Sequence, residues 1–174
     1  MARGIIIGVV GTLLLGVLAV YLGVTRGLMP ANADGPALPL ERWAARTSLH
    51  ATLSAQAPKQ PNPLATDDAN MLAGIKLYGQ NCAVCHGVAD GEPSNVAKGL
   101  YQRPPQLAKD GVEDDPAGVT YWKIDHGIRF TGMPAFGKTL SERQLWQLTL
   151  VLEHMDHLPS APERAWKALK NPSG

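Results

Sequence analysis

Hydrophobic and polar positions divide the chain into three stretches, each with its own pattern. From Gly4 to Thr25 the chain is uncharged and mostly apolar, and these roughly 22 residues would form a helix about 33 Å long, enough to cross a bilayer. Residues 1–27 are therefore predicted to be a transmembrane anchor. Residues 28–66 are rich in proline, which predicts an extended, semi-rigid tether, with a short helix between Leu40 and Ser54 as one option.

The third stretch, residues 67–158, has helical spacing of its apolar residues and no strand alternation of any length. Three helices are predicted. The first is capped by Asp67 or Asp68 and runs through Met71, Ile75 and Tyr78, and the second starts at Asp115-Pro116 and carries Val119, Trp122 and Ile124. The third opens with a capping box of Ser141 and Gln144 and buries Leu145, Leu148, Leu152 and Met155. Val88 to Asp115 is predicted to be a loop. The domain is predicted to be all-α, and residues 159–174 form a tail that is either a docking helix or a frayed end.

Charge excludes one large class of function. The formal net charge is +1, so the chain lacks the basic field typical of nucleic-acid binding, and we expect no nucleic-acid partner. From Asp67 onward the chain carries eleven Lys and Arg against thirteen Asp and Glu, a net charge of about −2. Long-range attraction to an acidic partner is therefore not favoured.

The only two cysteines lie in the sequence Cys82-Ala83-Val84-Cys85-His86, which is the attachment signature of a c-type haem. On one helical turn Cys82 and Cys85 share a face, so both sulfurs can form thioethers to one porphyrin while His86 binds the iron. Three alternatives fit less well. A zinc site needs four ligands, a thioredoxin-like pair needs a βαβ pattern, and a plain disulfide gives no reason for the histidine.

The second axial ligand decides the chemistry of such a haem. The candidates are Met71, Met133, Met155, His50, His126, His154 and His157. Met71 and Met155 lie on apolar helical faces, where methionine usually fills the core. Met133 lies in a loop between a glycine and a stiffening proline, 47 residues beyond His86, so the chain can pass around the haem edge. Met133 is the predicted ligand, with His126 as the alternative.

The sequence from Asp67 to Leu158, about half the chain, resembles a class I c-type cytochrome. Gly74 and Tyr78 match the glycine and aromatic at which that family's first helix crosses its last. Pro105-Gln106-Leu107 resembles the family's Pro-x-Leu, whose proline carbonyl accepts a hydrogen bond from the ligating imidazole. Gly132-Met133-Pro134 resembles its sixth-ligand loop. The anchor and the tether are not part of the basic family pattern.

The resemblance implies the class I cytochrome c fold wrapped around one covalently bound haem c, with His86 and Met133 as iron ligands. Three further residues are candidates for contact with the haem. Arg103 and Arg129 suit its propionates, although a loop arginine is more often only solvated. Trp122 either donates to a propionate or simply packs.

With both axial positions filled, the expected function is electron transfer and not catalysis. We expect a membrane-tethered carrier between a quinol-oxidising complex and a terminal oxidase or photosynthetic reaction centre. The alternative is a fixed cytochrome subunit of a larger respiratory or photosynthetic complex. A haem peroxidase or a gas sensor is the third class, and either one needs a displaceable ligand.

The apolar N-terminal run is expected to stay in the energy-conserving membrane as a single pass, although Ala31-Asn32-Ala33 resembles a signal-peptide cleavage site. The family attaches its haem on the outer face, which implies a periplasmic haem domain in a bacterial inner membrane. Small residues four apart at Gly4, Gly8, Thr12 and Gly16 would let another helix approach closely. The alternative is that glycine is simply common in membrane helices.

Overall fold

The computed structural model describes residues 2–172, and every regular element within them is helical, which confirms the predicted all-α class. The helices are α1 (Ala2–Thr25), α2 (Pro39–Gln56), α3 (Asp68–Asn81), α4 (Ala83–His86), α5 (Asn95–Gly99), α6 (Leu107–Asp110), α7 (Ala117–His126), α8 (Glu142–Glu153) and α9 (Ser160–Lys167), with a 3₁₀ turn at Phe136–Lys138. Met1 of the predicted anchor and residues 173–174 of the predicted tail lie outside the described residues. The chain divides into two compact units, Met1–Gly35 and Pro36–Gly174.

The first unit contains α1, whose 24 residues rise about 36 Å and whose large apolar side chains are exposed along its whole length. The helix is long and apolar enough to cross a membrane. The hydroxyl groups of Thr12 and Thr25 donate to the carbonyls of Gly8 and Tyr21 one turn earlier. These polar side chains are thus satisfied within the helix.

The core of the second unit is the crossing of α3 and α8. The helices approach so closely at Gly74 that a Cβ there would lie 2.3 Å from the carbonyl oxygen of Gln147 and 2.6 Å from Cγ2 of Val151. Ile75 and Tyr78 of α3 and Leu148 and Val151 of α8 are almost wholly buried around this point. Caps fix both helices: Asp67 accepts from the Asn70 amide, and Ser141 and Gln144 form the predicted capping box.

The C-terminal stretch packs on the domain through α9. The indole ring of Trp166 lies edge-on to the Tyr78 ring at a centroid distance of 5.0 Å, and Trp166 is buried. Nearby, Leu169 approaches Gly79 of α3. Residues 160–169 therefore extend the hydrophobic core instead of forming a frayed end.

Two local details differ from the expectation. The predicted loop from Val88 to Asp115 contains the short helices α5 and α6, the first capped by the Ser94 side chain, which accepts from the Ala97 amide. Helix α7 begins one residue later than predicted, with Pro116 as its N-cap. The Asp115 carboxylate does not cap the helix and pairs with Lys123 at 2.6 Å.

The residues just before α3 also contact the helical domain. Leu53 of α2 is buried, and the Pro58 carbonyl lies so close to α7 that a Cβ on Gly118 would be 1.7 Å from it. The Asn62 side chain donates to the Trp146 carbonyl at 3.1 Å and to the Glu153 carboxylate at 2.9 Å. The chain from Leu53 to Asn62, within the stretch predicted to be a tether, thus lies against α7 and α8.

The α3–α8 crossing gives a prediction of stability. Gly74→Ala should lower the free energy of unfolding by about 3 kcal/mol, because the new methyl group meets the Gln147 backbone carbonyl and the Val151 side chain. Gly99→Ala is the control, because nothing lies within 4 Å of a Cβ at that position. It should stay within about 1 kcal/mol of the unmodified chain. Denaturant titration of both variants measures the difference, and equal midpoints would contradict the close crossing.

Candidate functional site

The two cysteines and His86 lie on a single tight turn at the end of α3. Helix α3 ends at Cys82, whose backbone amide donates a hydrogen bond to the Tyr78 carbonyl at 2.8 Å. The Cys82 carbonyl then accepts from the Cys85 amide at 3.0 Å and the His86 amide at 2.8 Å, which closes the one-turn helix α4. Gly87, with a φ of +72°, ends the turn in a conformation that favours glycine.

A helix of one turn cannot satisfy its own last carbonyls, and here side chains from three other segments do so. The Val84 carbonyl accepts from the Ser94 hydroxyl, and the Cys85 carbonyl from the Gln106 amide at 3.2 Å. The Tyr78 hydroxyl lies 3.3 Å from the His86 carbonyl and 3.0 Å from the Gly87 carbonyl. The turn is therefore fixed along its whole length.

The His86 ring is oriented by one hydrogen bond. Its Nδ1 lies 2.9 Å from the Pro105 carbonyl, which can only accept, so Nδ1 carries the proton and Nε2 has a free lone pair. Burial lowers the pKa of His86, although the bond to Pro105 acts in the opposite direction. The neutral imidazole that results is the form that binds a metal ion.

Burial favours the protonated form of both cysteine thiols. Cys82 and Cys85 do not form a disulfide. Burial, together with the neighbouring Cys85, raises the pKa of Cys82 to about 12, and burial also raises the pKa of Cys85. Among residues 2–172 no three His, Cys, Asp or Glu side chains are grouped as metal ligands, so nothing supports the zinc alternative.

Met133 lies in a loop that begins at Gly127 (φ +65°) and folds back on itself. The Ile128 amide donates to the Met133 carbonyl at 3.2 Å, and the Met133 amide donates to the Thr131 hydroxyl at 3.1 Å. Phe130 has a φ of +61°, a conformation that costs a non-glycine residue about 1–2 kcal/mol. The Met133 side chain is half-buried and packs on the same hydrophobic core as Cys82.

The other candidate ligands are engaged elsewhere or exposed. The His126 ring stacks on Trp122 at a centroid distance of 4.6 Å and lies 3.4 Å from the Asp125 carboxylate. His154 contacts the Leu150 carbonyl, and His157 contacts Asp156. Met71 and Met155 are buried, and His50 is exposed.

The remaining predicted haem contacts are less closely connected to the turn. Arg103 and Arg129 are both exposed, and neither guanidinium has a hydrogen bond or an ion pair within residues 2–172. Trp122 is half-buried in its stack with His126. The structure therefore brings together Cys82, Cys85, His86 and Pro105, with Met133 on the same core. It does not attach the two arginines or Trp122 to that group.

The donor set fits a haem c: two free thiols on one turn, an imidazole with a free Nε2, and a thioether in the Met133 loop. Cys82 and Cys85 would hold such a group covalently, and His86 and Met133 would ligate it. The group itself would supply one-electron redox chemistry. The protein residues supply attachment, orientation and exclusion of water.

Sequence reasoning did not assign a role to two residues that hold the turn. Gln106 lies between the two motif positions of the Pro-x-Leu stretch. Its polar side chain there is the sequence feature that could have indicated a role. Ser94 both caps α5 and donates to the Val84 carbonyl, and no local pattern distinguishes it from other loop serines.

Residues 69–150, just under half of the chain, match a family model described as cytochrome C oxidase, cbb3-type, subunit III. No curated protein and no solved structure matches the chain. The match supports a c-type cytochrome, whose haem is covalently bound and whose general function is electron transfer. The match also suggests that the redox partners of the chain belong to a respiratory chain.

The predicted iron ligand can be tested by a volume-conserving substitution. Met133→Leu should abolish the near-infrared charge-transfer band between methionine sulfur and ferric iron, because leucine has no sulfur, and should change the midpoint potential. Met155→Leu makes the same chemical change in a buried methionine of the core and should leave both readouts unaltered. Retention of the band in Met133→Leu would exclude Met133 as the ligand.

Proposed function

We propose that this chain is a membrane-tethered c-type cytochrome with one haem. It carries single electrons between a quinol-oxidising complex and a terminal oxidase or photosynthetic reaction centre. The observation that carries the proposal is the Cys82–His86 turn, in which two free cysteines precede an imidazole whose Nδ1 lies 2.9 Å from the Pro105 carbonyl. The single attachment sequence in the chain supports a single haem.

The proposed ligand pair excludes most of the reactions that haem enzymes catalyse. His86 and Met133 would both ligate the haem iron, which would leave no open position for oxygen, peroxide or carbon monoxide. A thioether ligand and a buried porphyrin both raise the reduction potential. The reaction that remains is outer-sphere transfer of one electron through the haem edge, and no residue has a catalytic role.

Membrane attachment is proposed from α1, which is apolar along the 24 residues from Ala2 to Thr25 apart from Arg3. We propose that this helix is retained as an anchor and that the haem domain lies on the periplasmic side of a bacterial inner membrane. A tethered carrier searches only the membrane surface, which raises the effective concentration of its partners. The alternative is cleavage after Ala33, which would release a soluble protein.

The second candidate is a fixed subunit of a larger respiratory complex. It is favoured by the description of the matching family, which names a subunit of an oxidase. The glycines at positions 4, 8 and 16 agree with it, because nothing lies within 4 Å of a Cβ at any of them and another helix could approach closely. The Thr12 hydroxyl is already bonded to the Gly8 carbonyl, so it needs no partner.

Carbon monoxide distinguishes electron transfer from the enzyme and sensor classes. The reduced full-length protein in mild detergent should bind carbon monoxide slowly or not at all at neutral pH, because the Met133 sulfur holds the sixth position. Met133→Ala should bind it rapidly, which is the control that the ligand can reach the iron. Rapid binding by the unmodified protein would favour a sensor or a peroxidase and would overturn the proposal.

Membrane fractions test the anchor and separate the two electron-transfer candidates. After a wash with alkaline carbonate, the covalently bound haem should stay in the membrane pellet, because a spanning helix resists extraction. Appearance in the supernatant, with a mature chain that begins near residue 34, would support cleavage.

On native electrophoresis after mild solubilisation, a mobile carrier should migrate alone. Stoichiometric co-migration with a large complex would favour the fixed subunit.

A further inference from the structure

We propose that Gln106 is a positioning residue that holds the His86 imidazole against the Pro105 carbonyl and thereby lowers the reduction potential of the haem. The inference rests on the proposed function, because it requires an iron ligated by His86. Gln106 does not touch His86 itself. It acts through the two backbone segments that carry the ring and its acceptor.

The Gln106 side-chain amide joins these two segments directly. Its Nε2 donates to the Cys85 carbonyl at 3.2 Å and to the Pro104 carbonyl at 3.1 Å. Cys85 immediately precedes His86, and Pro104 immediately precedes Pro105. A primary amide has two N–H donors, and here both are used to hold one residue on each side of the His86–Pro105 bond.

The backbone of Gln106 is itself fixed. Its amide donates to the Asp110 carboxylate at 2.6 Å, and its carbonyl accepts from the Lys109 and Asp110 amides, both at 2.8 Å. The next residue, Leu107, is buried in the core. The side chain therefore extends from a backbone that is held in place, so its two hydrogen bonds fix the positions of the Cys85 and Pro104 carbonyls relative to each other.

The orientation of the amide follows from its surroundings. If the group were rotated by half a turn, Oε1 would face the carbonyl oxygens of Cys85 and Pro104, and three acceptors would repel one another. In the observed orientation Oε1 is buried and has no hydrogen-bond partner within residues 2–172. It points toward Gly87, where a Cβ would lie 2.6 Å from it. An unpaired buried acceptor is costly, so the two donated bonds are what keep the amide there.

The effect on the haem follows from the bond that Gln106 supports. A strong Nδ1–H bond to a carbonyl makes the ligating imidazole more basic, and a more basic ligand favours ferric over ferrous iron. Removing the amide should weaken the His86–Pro105 bond, so the potential should rise.

The test compares Gln106→Met with Gln80→Met in the full-length holoprotein in mild detergent. Methionine has nearly the length of glutamine but no donors. Gln80 lies exposed on α3, so it controls for the substitution itself. Gln106→Met removes both donated bonds, and the His86–Pro105 bond that they support should weaken by roughly the net free energy of one hydrogen bond. The variant should therefore raise the midpoint potential and speed solvent exchange of the His86 Nδ1 proton about fivefold. Gln80→Met should change neither.

A lower unfolding midpoint with unchanged potential and proton exchange would mean that Gln106 is merely structural, and would overturn the proposal. If Gln106→Met yields no holoprotein, Gln106→Asn decides, because its amide is one methylene shorter and cannot keep both donated bonds at their present lengths. It should give a smaller rise, and no rise would overturn the proposal. If the unmodified protein lacks the methionine charge-transfer band, the proposed function fails instead, whatever the Gln106 variants do.

Discussion

The close approach of α3 to α8 at Gly74 is the constraint on which the rest of the domain depends. Because Gly74 has no side chain, the α3 backbone lies directly against the Gln147 carbonyl and the Val151 side chain of α8, with no room for a methyl group between them. One turn later Tyr78 contacts Trp166 with its ring and the Gly87 carbonyl with its hydroxyl. The attachment turn therefore begins at a place that the core determines.

From that point the turn is held by segments that have little regular structure of their own. A one-turn helix leaves its carbonyls without partners, and Ser94 and Gln106 supply donors from either end of the long stretch before α7. This explains why about 28 residues of largely irregular chain belong to a compact domain, where such a length is otherwise uncommon. Ser94 and Gln106 of this stretch bond to the turn, and the short helices α5 and α6 organise part of its backbone.

The sequence was sufficient for features that depend on local patterns. Helical periodicity predicted α3, α7 and α8, and the capping box at Ser141 and the cap at Asp67 were readable because a cap needs specific residues three positions apart. Contacts between residues that are far apart in the sequence could not be predicted. The bonds of Asn62 to Trp146 and Glu153 span 84 and 91 residues, and an asparagine in a proline-rich stretch carries no sign of them. For the site, the motif predicted which residues meet, but not the side chains that satisfy the backbone around them.

The two sides of the proposed iron site are held in different ways. On the His86 side, the ring is bonded to the Pro105 carbonyl, and the carbonyls from Val84 to Gly87 are each bonded to a side chain. On the Met133 side, the loop is held mainly by its own backbone, and it includes the strained residue Phe130. Most side chains of this loop are exposed, that of Phe130 almost completely, so few buried contacts hold the loop in place. Any difference in geometry between the oxidised and reduced forms is therefore expected on the methionine side, while the attachment turn keeps one conformation in both.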